Sequence, residues 1–100
     1  MSFGISNKSY ELILKALADT LIIKEAIIFG SRAIGNYKPG SDIDIAVKLD
    51  SGAKNPILET LFNQELPIPY KVDVVYYNDN ISPELKEHID SQGISIYKRP

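Results

Sequence analysis

The sequence contains no cysteine, which excludes disulfides, thiolate-bound zinc and thiol catalysis. No apolar run approaches the roughly 20 residues of a membrane span. Leu21, Ile22 and Ile23 are cut off by Lys24 and Glu25 before the apolar stretch resumes at Ala26. The opening "MSFGISNKSYE" has no basic start ahead of an apolar core, so it does not read as a secretory signal, and a cytoplasmic location is expected. A basic arm is missing as well. Eleven Lys and Arg against 13 Asp and Glu leave a formal net charge of −2, and an extended nucleic-acid footprint, which needs cations clustered against phosphates, is not expected. Internal repeats, low-complexity segments and linkers are absent. The one histidine, His88, stands between Glu87 and Ile89 and reads as a partly exposed helix residue.

What is present fits one folded domain over residues 1–100. With 44% hydrophobic and 24% charged residues, the chain has the composition of a soluble globular protein. A chain this short buries roughly two thirds of its unfolded surface and has no room for a second core.

Apolar and polar residues alternate at two different periods. Tyr10, Ile13, Leu14, Leu17 and Leu21 fall on one helical face, with Glu11 and Lys15 paired on the other. Residues 25–29, which include the β-branched Ile27 and Ile28 and the aromatic Phe29, are stopped by Gly30 and read as a buried strand. From Asp42 the period becomes two: Asp42, Asp44, Ala46 and Lys48 share one face and Ile43, Ile45, Val47 and Leu49 the other. Asn55 and Pro56 start a helix expected over residues 56–66, and residues 71–77, "KVDVVYY", form a strand in which Asp73 shares a face with Val75 and Tyr77. Ser82 and Pro83 open a last helix with Leu85 and Ile89 inward, Gly93 ends it, and residues 94–97 form an extended tail. Residues 50–56 are expected as a mobile loop. This order predicts an α/β (α+β) domain, a short mixed β-sheet with helices packed on one side.

The stretch "FGSRAIGNYKPGSDIDIAV", residues 29–47, carries the chemistry. Two residues apart on a strand, Asp42 and Asp44 leave the same face with Cα atoms roughly 6.5 Å apart. Two carboxylates so close repel unless a cation lies between them, and Mg²⁺ takes its ligands from one or two carboxylates and substrate phosphates. If its strand lies alongside, Asp73 adds a third carboxylate, completing a two-metal arrangement for in-line phosphoryl displacement and accepting the proton of the attacking hydroxyl. Gly30 and Ser31 follow a strand, where backbone N–H groups and a hydroxyl can face a phosphate. Arg32 and Lys38 are the nearest cations. The Gly30-to-Gly35 spacing is not a P-loop, since Asn36 and Tyr37 replace the required Lys and Ser or Thr. The Asp42-to-Val47 run lacks the turn glycine of a calcium loop.

Together, "GSRAIGNYKPGSDIDIAV" and the later "VDVVYY" resemble the minimal nucleotidyltransferases of the DNA polymerase β-like superfamily, whose pattern is Gly-Ser, a spacer, Asp-x-Asp and a later Asp. The resemblance implies a polymerase β palm-like fold. It makes Asp42, Asp44 and Asp73 the catalytic and metal-binding residues for two Mg²⁺ ions, and Gly30, Ser31, Arg32 and Ser41 the nucleotide-binding residues that hold ATP. The implied reaction moves a nucleoside monophosphate to a hydroxyl and releases pyrophosphate. Many relatives of this length are encoded beside a helical HEPN protein, and as antitoxins can adenylylate a tyrosine of that toxin. One departure is Ile34, where many relatives carry Arg or Lys. Contact-only neutralisation of a partner and transfer to a small molecule are the alternatives, and a homo-oligomer could enclose such a small acceptor.

Overall fold

The two long helices each begin where a serine hydroxyl accepts from a backbone N–H, Ser6 before the first and Ser82 before the last. The computed structural model describes residues 3–50 and 57–100. Ser6 accepts a hydrogen bond from the Ser9 N–H and opens α1 (Asn7–Asp19), which buries Ile13, Ala16 and Leu17. Thr20 closes the helix by donating its hydroxyl to the Ala16 carbonyl at 2.8 Å. Leu21, expected on the apolar helix face, lies beyond that closure and is 77% exposed. Lys15 pairs with Asp19 at 3.1 Å rather than with Glu11.

Four strands form one sheet in the order β3-β2-β1-β4. They are β1 (Ile23–Phe29), β2 (Ile43–Leu49), β3 (Val72–Tyr76) and β4 (Ile94–Lys98). β1 is antiparallel to both β2 and β4, and β2 is parallel to β3, so the sheet is mixed as expected. The tail after Gly93 is therefore a paired edge strand. Arg99, next to it, donates to both carboxylate oxygens of Asp50 and to the Leu21 carbonyl, which fastens the chain end to the β1 and β2 termini.

Alternation along the strands divides the apolar residues between two faces. Ala26, Ile28, Ile43, Ile45, Val47 and Val72 join Ile13, Leu17, Leu58 and Phe62 in the main core. That face is covered by α1 and by the helical segment α3 (Ile57–Thr60), which continues as a π-helical turn through Leu61–Glu65. Ile27, Phe29 and Ala46 pack on the other face against Ile89 and Leu85 of α4 (Pro83–Gln92). This corrects the expectation of helices on one side only. A sheet with apolar residues on both faces needs cover on both, and α4 supplies it.

The helix expected over residues 56–66 is thus a short α-helical turn that widens, and the widened turn presents Asn63 to the β3 edge. The Asn63 amide donates to the Val72 carbonyl at 2.8 Å and accepts from the Val72 N–H at 2.8 Å, so one side chain takes the place of a neighbouring strand. Of the loop expected over residues 50–56, all but Asp50 lies outside the described residues. No helix among the described residues is long and apolar enough to cross a membrane.

Candidate active site

The α4-side face of the sheet is only partly covered, and the acidic residues lie at its open end. Phe29 pairs with Asp44 across β1 and β2, and Asp44 pairs with Asp73 across β2 and β3. In both ladders directly opposed side chains leave the same face, so Phe29, Asp44 and Asp73 form a row across three strands. Asp42, two residues before Asp44, shares that face. Asp44, Asp73, Lys71, Phe29 and Leu85 line an open depression of about 520 Å³, which wraps round the β3 edge to Glu59 and Asn63.

Asp44 is the strained member of the set. Burial raises its pKa above the ordinary 3.8, and the charges of Asp73 and Asp42 raise it further, while His88 acts in the opposite direction. His88, read from sequence as an ordinary helix residue, therefore stands close enough to influence Asp44. Its ring meets the Phe29 ring edge-on, with centroids 5.9 Å apart.

A cation that sequence reasoning missed lies between the other two carboxylates. Lys71 Nζ is 3.8 Å from Asp73 Oδ1 and 4.0 Å from Asp42 Oδ2. The signal was present in the sequence, because Lys71 precedes Asp73 by two residues and strand alternation sends both side chains to one face.

Among the described residues, no three carboxylate or imidazole groups converge tightly enough to form a ready-made metal cage. The donor chemistry nonetheless fits a hard divalent ion. It consists of carboxylate oxygens on one face of two adjacent strands, with the charged form of Asp44 disfavoured by burial and by its neighbours' charge. Mg²⁺ is ordinarily held by one or two carboxylates together with substrate phosphates, without a full protein cage.

Gly30 follows β1 with φ +74° and ψ −155°, and a Cβ there would strike Asp44 Oδ2. The missing side chain is what lets the Asp44 carboxylate rest against this turn. Ser31 begins the four-residue helix α2 (Ser31–Ile34). Its carbonyl accepts from Gly35 and Asn36, and its hydroxyl has no partner among the described residues. Ser41 Oγ accepts from the Lys38 N–H at 2.9 Å, which shapes the approach to Asp42. Ile34, in place of a cation, is exposed.

Arg32 stands apart from this group. It is 3% exposed and donates Nε and Nη2 to the Ser41 carbonyl at 3.1 and 2.7 Å, and Nη1 to the Phe3 carbonyl at 3.0 Å. Its guanidinium lies over the rings of Tyr37 and Tyr70, at 5.2 and 5.1 Å from their centroids. Expected from sequence to add charge at a phosphate, Arg32 is here buried with its donors turned to backbone carbonyls. It acts as a strut between α2 and the start of β2.

Known proteins share this fold. The profile of the "Polymerase beta, Nucleotidyltransferase" family matches residues 11–100, a span that holds all four strands and all three aspartates. Over 75 residues the chain is 37% identical to a Methanocaldococcus jannaschii protein named "Putative protein adenylyltransferase", covering 74% of this chain and 80% of that one. A crystal structure of a toxin–antitoxin with AMP-PNP matches with a TM-score of 0.73 and 27% identity, over 89% of this chain and 73% of the matched chain. The structure of a tri-AMPylated Shewanella oneidensis HEPN toxin in complex with MNT antitoxin shares the fold, with a TM-score of 0.66 and 24% identity over 91% of this chain and 71% of the matched one.

Proposed function

The chain belongs to the polymerase beta nucleotidyltransferase family and is a nucleotidyltransferase, and from that premise we propose that it transfers AMP from ATP to a hydroxyl of a HEPN-type helical partner. In this reading it is the antitoxin of a toxin–antitoxin pair. The observation that carries the reading is the direct pairing of Asp44 with Asp73, with Asp42 on the same face and Gly30 closing against Asp44.

Asp42, Asp44 and Asp73 would hold Mg²⁺. When bound, it supplies charge compensation for the triphosphate and lines up the attacking and leaving oxygens. The reaction forms one bond, from the acceptor oxygen to the α-phosphorus of ATP. It breaks another, from that phosphorus to the bridging oxygen, and pyrophosphate leaves with the electron pair. Asp73 takes the acceptor's proton. It suits that role because its side chain is 46% exposed and lies on the edge strand, where an incoming hydroxyl can reach it. Gly30 allows the triphosphate to approach the backbone closely, and the Ser31 hydroxyl, without a partner among the described residues, donates to a phosphate oxygen. Ser41 contributes by fixing the turn that delivers Asp42.

A macromolecular acceptor fits the shape of the site. The depression is open and shallow-sided, and no element among the described residues closes over it, whereas small-molecule sites enclose most of their ligand. The names carried by the relatives point to the same acceptor class, a protein adenylyltransferase and an AMPylated HEPN toxin.

The test is the intact mass of a HEPN partner co-expressed with this chain, compared between wild type and Asp44→Asn. Added AMP with the wild type alone supports transfer. A bound partner of unmodified mass in both supports neutralisation by contact and removes the aspartates from catalysis.

A further inference from the structure

We propose that Lys71 is the resting counterion of the acidic cluster and competes with a divalent cation for it, an inference that rests on the metal-assisted reading above. Its ammonium is not hydrogen-bonded to one carboxylate. It lies at similar distances from two, 3.8 Å from Asp73 Oδ1 and 4.0 Å from Asp42 Oδ2, which is the place a bridging cation takes between acidic residues on adjacent strands.

The backbone holds Lys71 there. Its carbonyl accepts from the Ile43 N–H at 2.9 Å, and Ile43 is the residue between Asp42 and Asp44. The lysine is thus tied to the segment that presents two of the three carboxylates, and two residues further along its own chain is the third. Its side chain is 68% exposed, and the ion pairs to Asp42 and Asp73 are the interactions it makes among the described residues.

Those properties suit a counterion that must leave. An exposed lysine pair is weak, and its four-carbon stem swings away without disturbing the fold. An arginine here would grip a carboxylate with two donors and resist displacement. Lys71 pairs with Asp42 and Asp73 and forms no ion pair with Asp44. The lysine therefore offsets the charge of two carboxylates and leaves the third for an incoming ion. Once displaced, the ammonium remains at the lining of the same depression, where the negative charge of a nucleotide arrives.

The experiment measures Mn²⁺ binding to the nucleotide-free full chain, by the electron paramagnetic resonance of free Mn²⁺, for wild type, Lys71→Met, Lys71→Arg and Lys86→Met. Lys86 is exposed on α4 and outside the acidic depression, so it reports the effect of removing any one positive charge. Lys71→Met is expected to bind Mn²⁺ about threefold to tenfold more tightly than wild type, Lys86→Met less than about twofold, and Lys71→Arg more weakly than wild type. Equal or weaker binding by Lys71→Met, with wild-type binding intact, overturns the inference. So does an equal gain in Lys86→Met. No Mn²⁺ binding by either wild type or Lys71→Met without nucleotide overturns the inference, and only a further failure to bind Mn²⁺ in the presence of a non-hydrolysable ATP analogue removes the metal reading itself. Circular dichroism of each variant establishes that it is folded, and Lys71→Gln replaces Lys71→Met if the latter is not.

Discussion

Asp44 of β2 and Asp73 of β3 are direct register partners in a parallel pair, so two acidic side chains of a short chain share one face of adjacent strands. Like charges opposite each other destabilise a sheet. Here a third, Asp42, adds to the effect at Asp44, and an arrangement that costs stability in the free protein is the one expected of a cation site.

The sign of that cost is testable. Burial first, then Asp73 and Asp42, raises the Asp44 pKa above 3.8. The folded protein therefore binds more protons than the unfolded chain over the window above 3.8, and stability falls as pH rises through the folded-state value. Asp44→Asn removes the ionised form. The variant is expected to melt about 2–4 °C higher than wild type at neutral pH in EDTA, after allowance for solvent screening, while AMP transfer drops about 10³-fold or more. Thermal unfolding with and without EDTA and a transfer assay check both halves. A variant less stable than wild type in EDTA would show that Asp44 is structurally supported, not strained.

Gly30 and Gly35 separate backbone strain from collision. Both have positive φ, +74° and +88°, but a Cβ at Gly30 strikes the Asp44 carboxylate while a Cβ at Gly35 meets nothing within 4 Å. Gly30→Ala is expected to cost about 1–3 kcal/mol, lowering the melting temperature by roughly 5–15 °C, and to weaken Mn²⁺ binding by displacing Asp44. Gly35→Ala is expected to cost about 1 kcal/mol and leave Mn²⁺ binding within about twofold of wild type. Melting curves and Mn²⁺ titrations on the pair decide whether Gly30 serves the carboxylate or only the turn.

The site was legible in the sequence where strand alternation alone decides. Asp42 and Asp44 had to share a face, and Lys71 and Asp73 obeyed the same rule although only Asp73 was read that way. The neighbour relation of Asp73 and Asp44 was expected from adjacent pairing and is present. What alternation does not encode is which face a helix takes, so α4 and His88 were not placed over Phe29. Nor does it show what lies beyond a chain turn. Arg32 looked like a phosphate cation because charge type is visible in sequence, but its direction is set by the Ser41 and Phe3 carbonyls and by two tyrosine rings. Leu21 kept helical spacing after Thr20 had already closed α1.

Arg32→Lys follows from that burial. Lysine cannot donate to two carbonyls while lying flat between the Tyr37 and Tyr70 rings, so the substitution leaves buried acceptors short of donors. A loss of about 2–4 kcal/mol is expected in denaturant unfolding, with the KM for ATP of the folded variant within about threefold of wild type. Unchanged stability together with a tenfold higher KM would return Arg32 to the nucleotide.

Asn63 tests whether the edge of β3 is held by a side chain. Its amide exchanges two hydrogen bonds with Val72 and donates a third to the Glu59 carbonyl at 3.0 Å. Asn63→Ala leaves the N–H and C=O of buried Val72 without those partners, at a cost of about 1–3 kcal/mol. Val72 lies between Lys71 and Asp73, so loosening it also loosens the acidic cluster. Hydrogen exchange at the Val72 amide is expected to accelerate strongly, and Mn²⁺ binding is expected to weaken several-fold. Asn63→Asp distinguishes the two directions of the pair, since a carboxylate still accepts from the Val72 N–H but cannot donate to its carbonyl. It should retain part of the amide protection that alanine loses. Equal protection in wild type and both variants would mean that the edge is held by the β2 ladder alone, and that Asn63 contributes nothing to positioning Asp73.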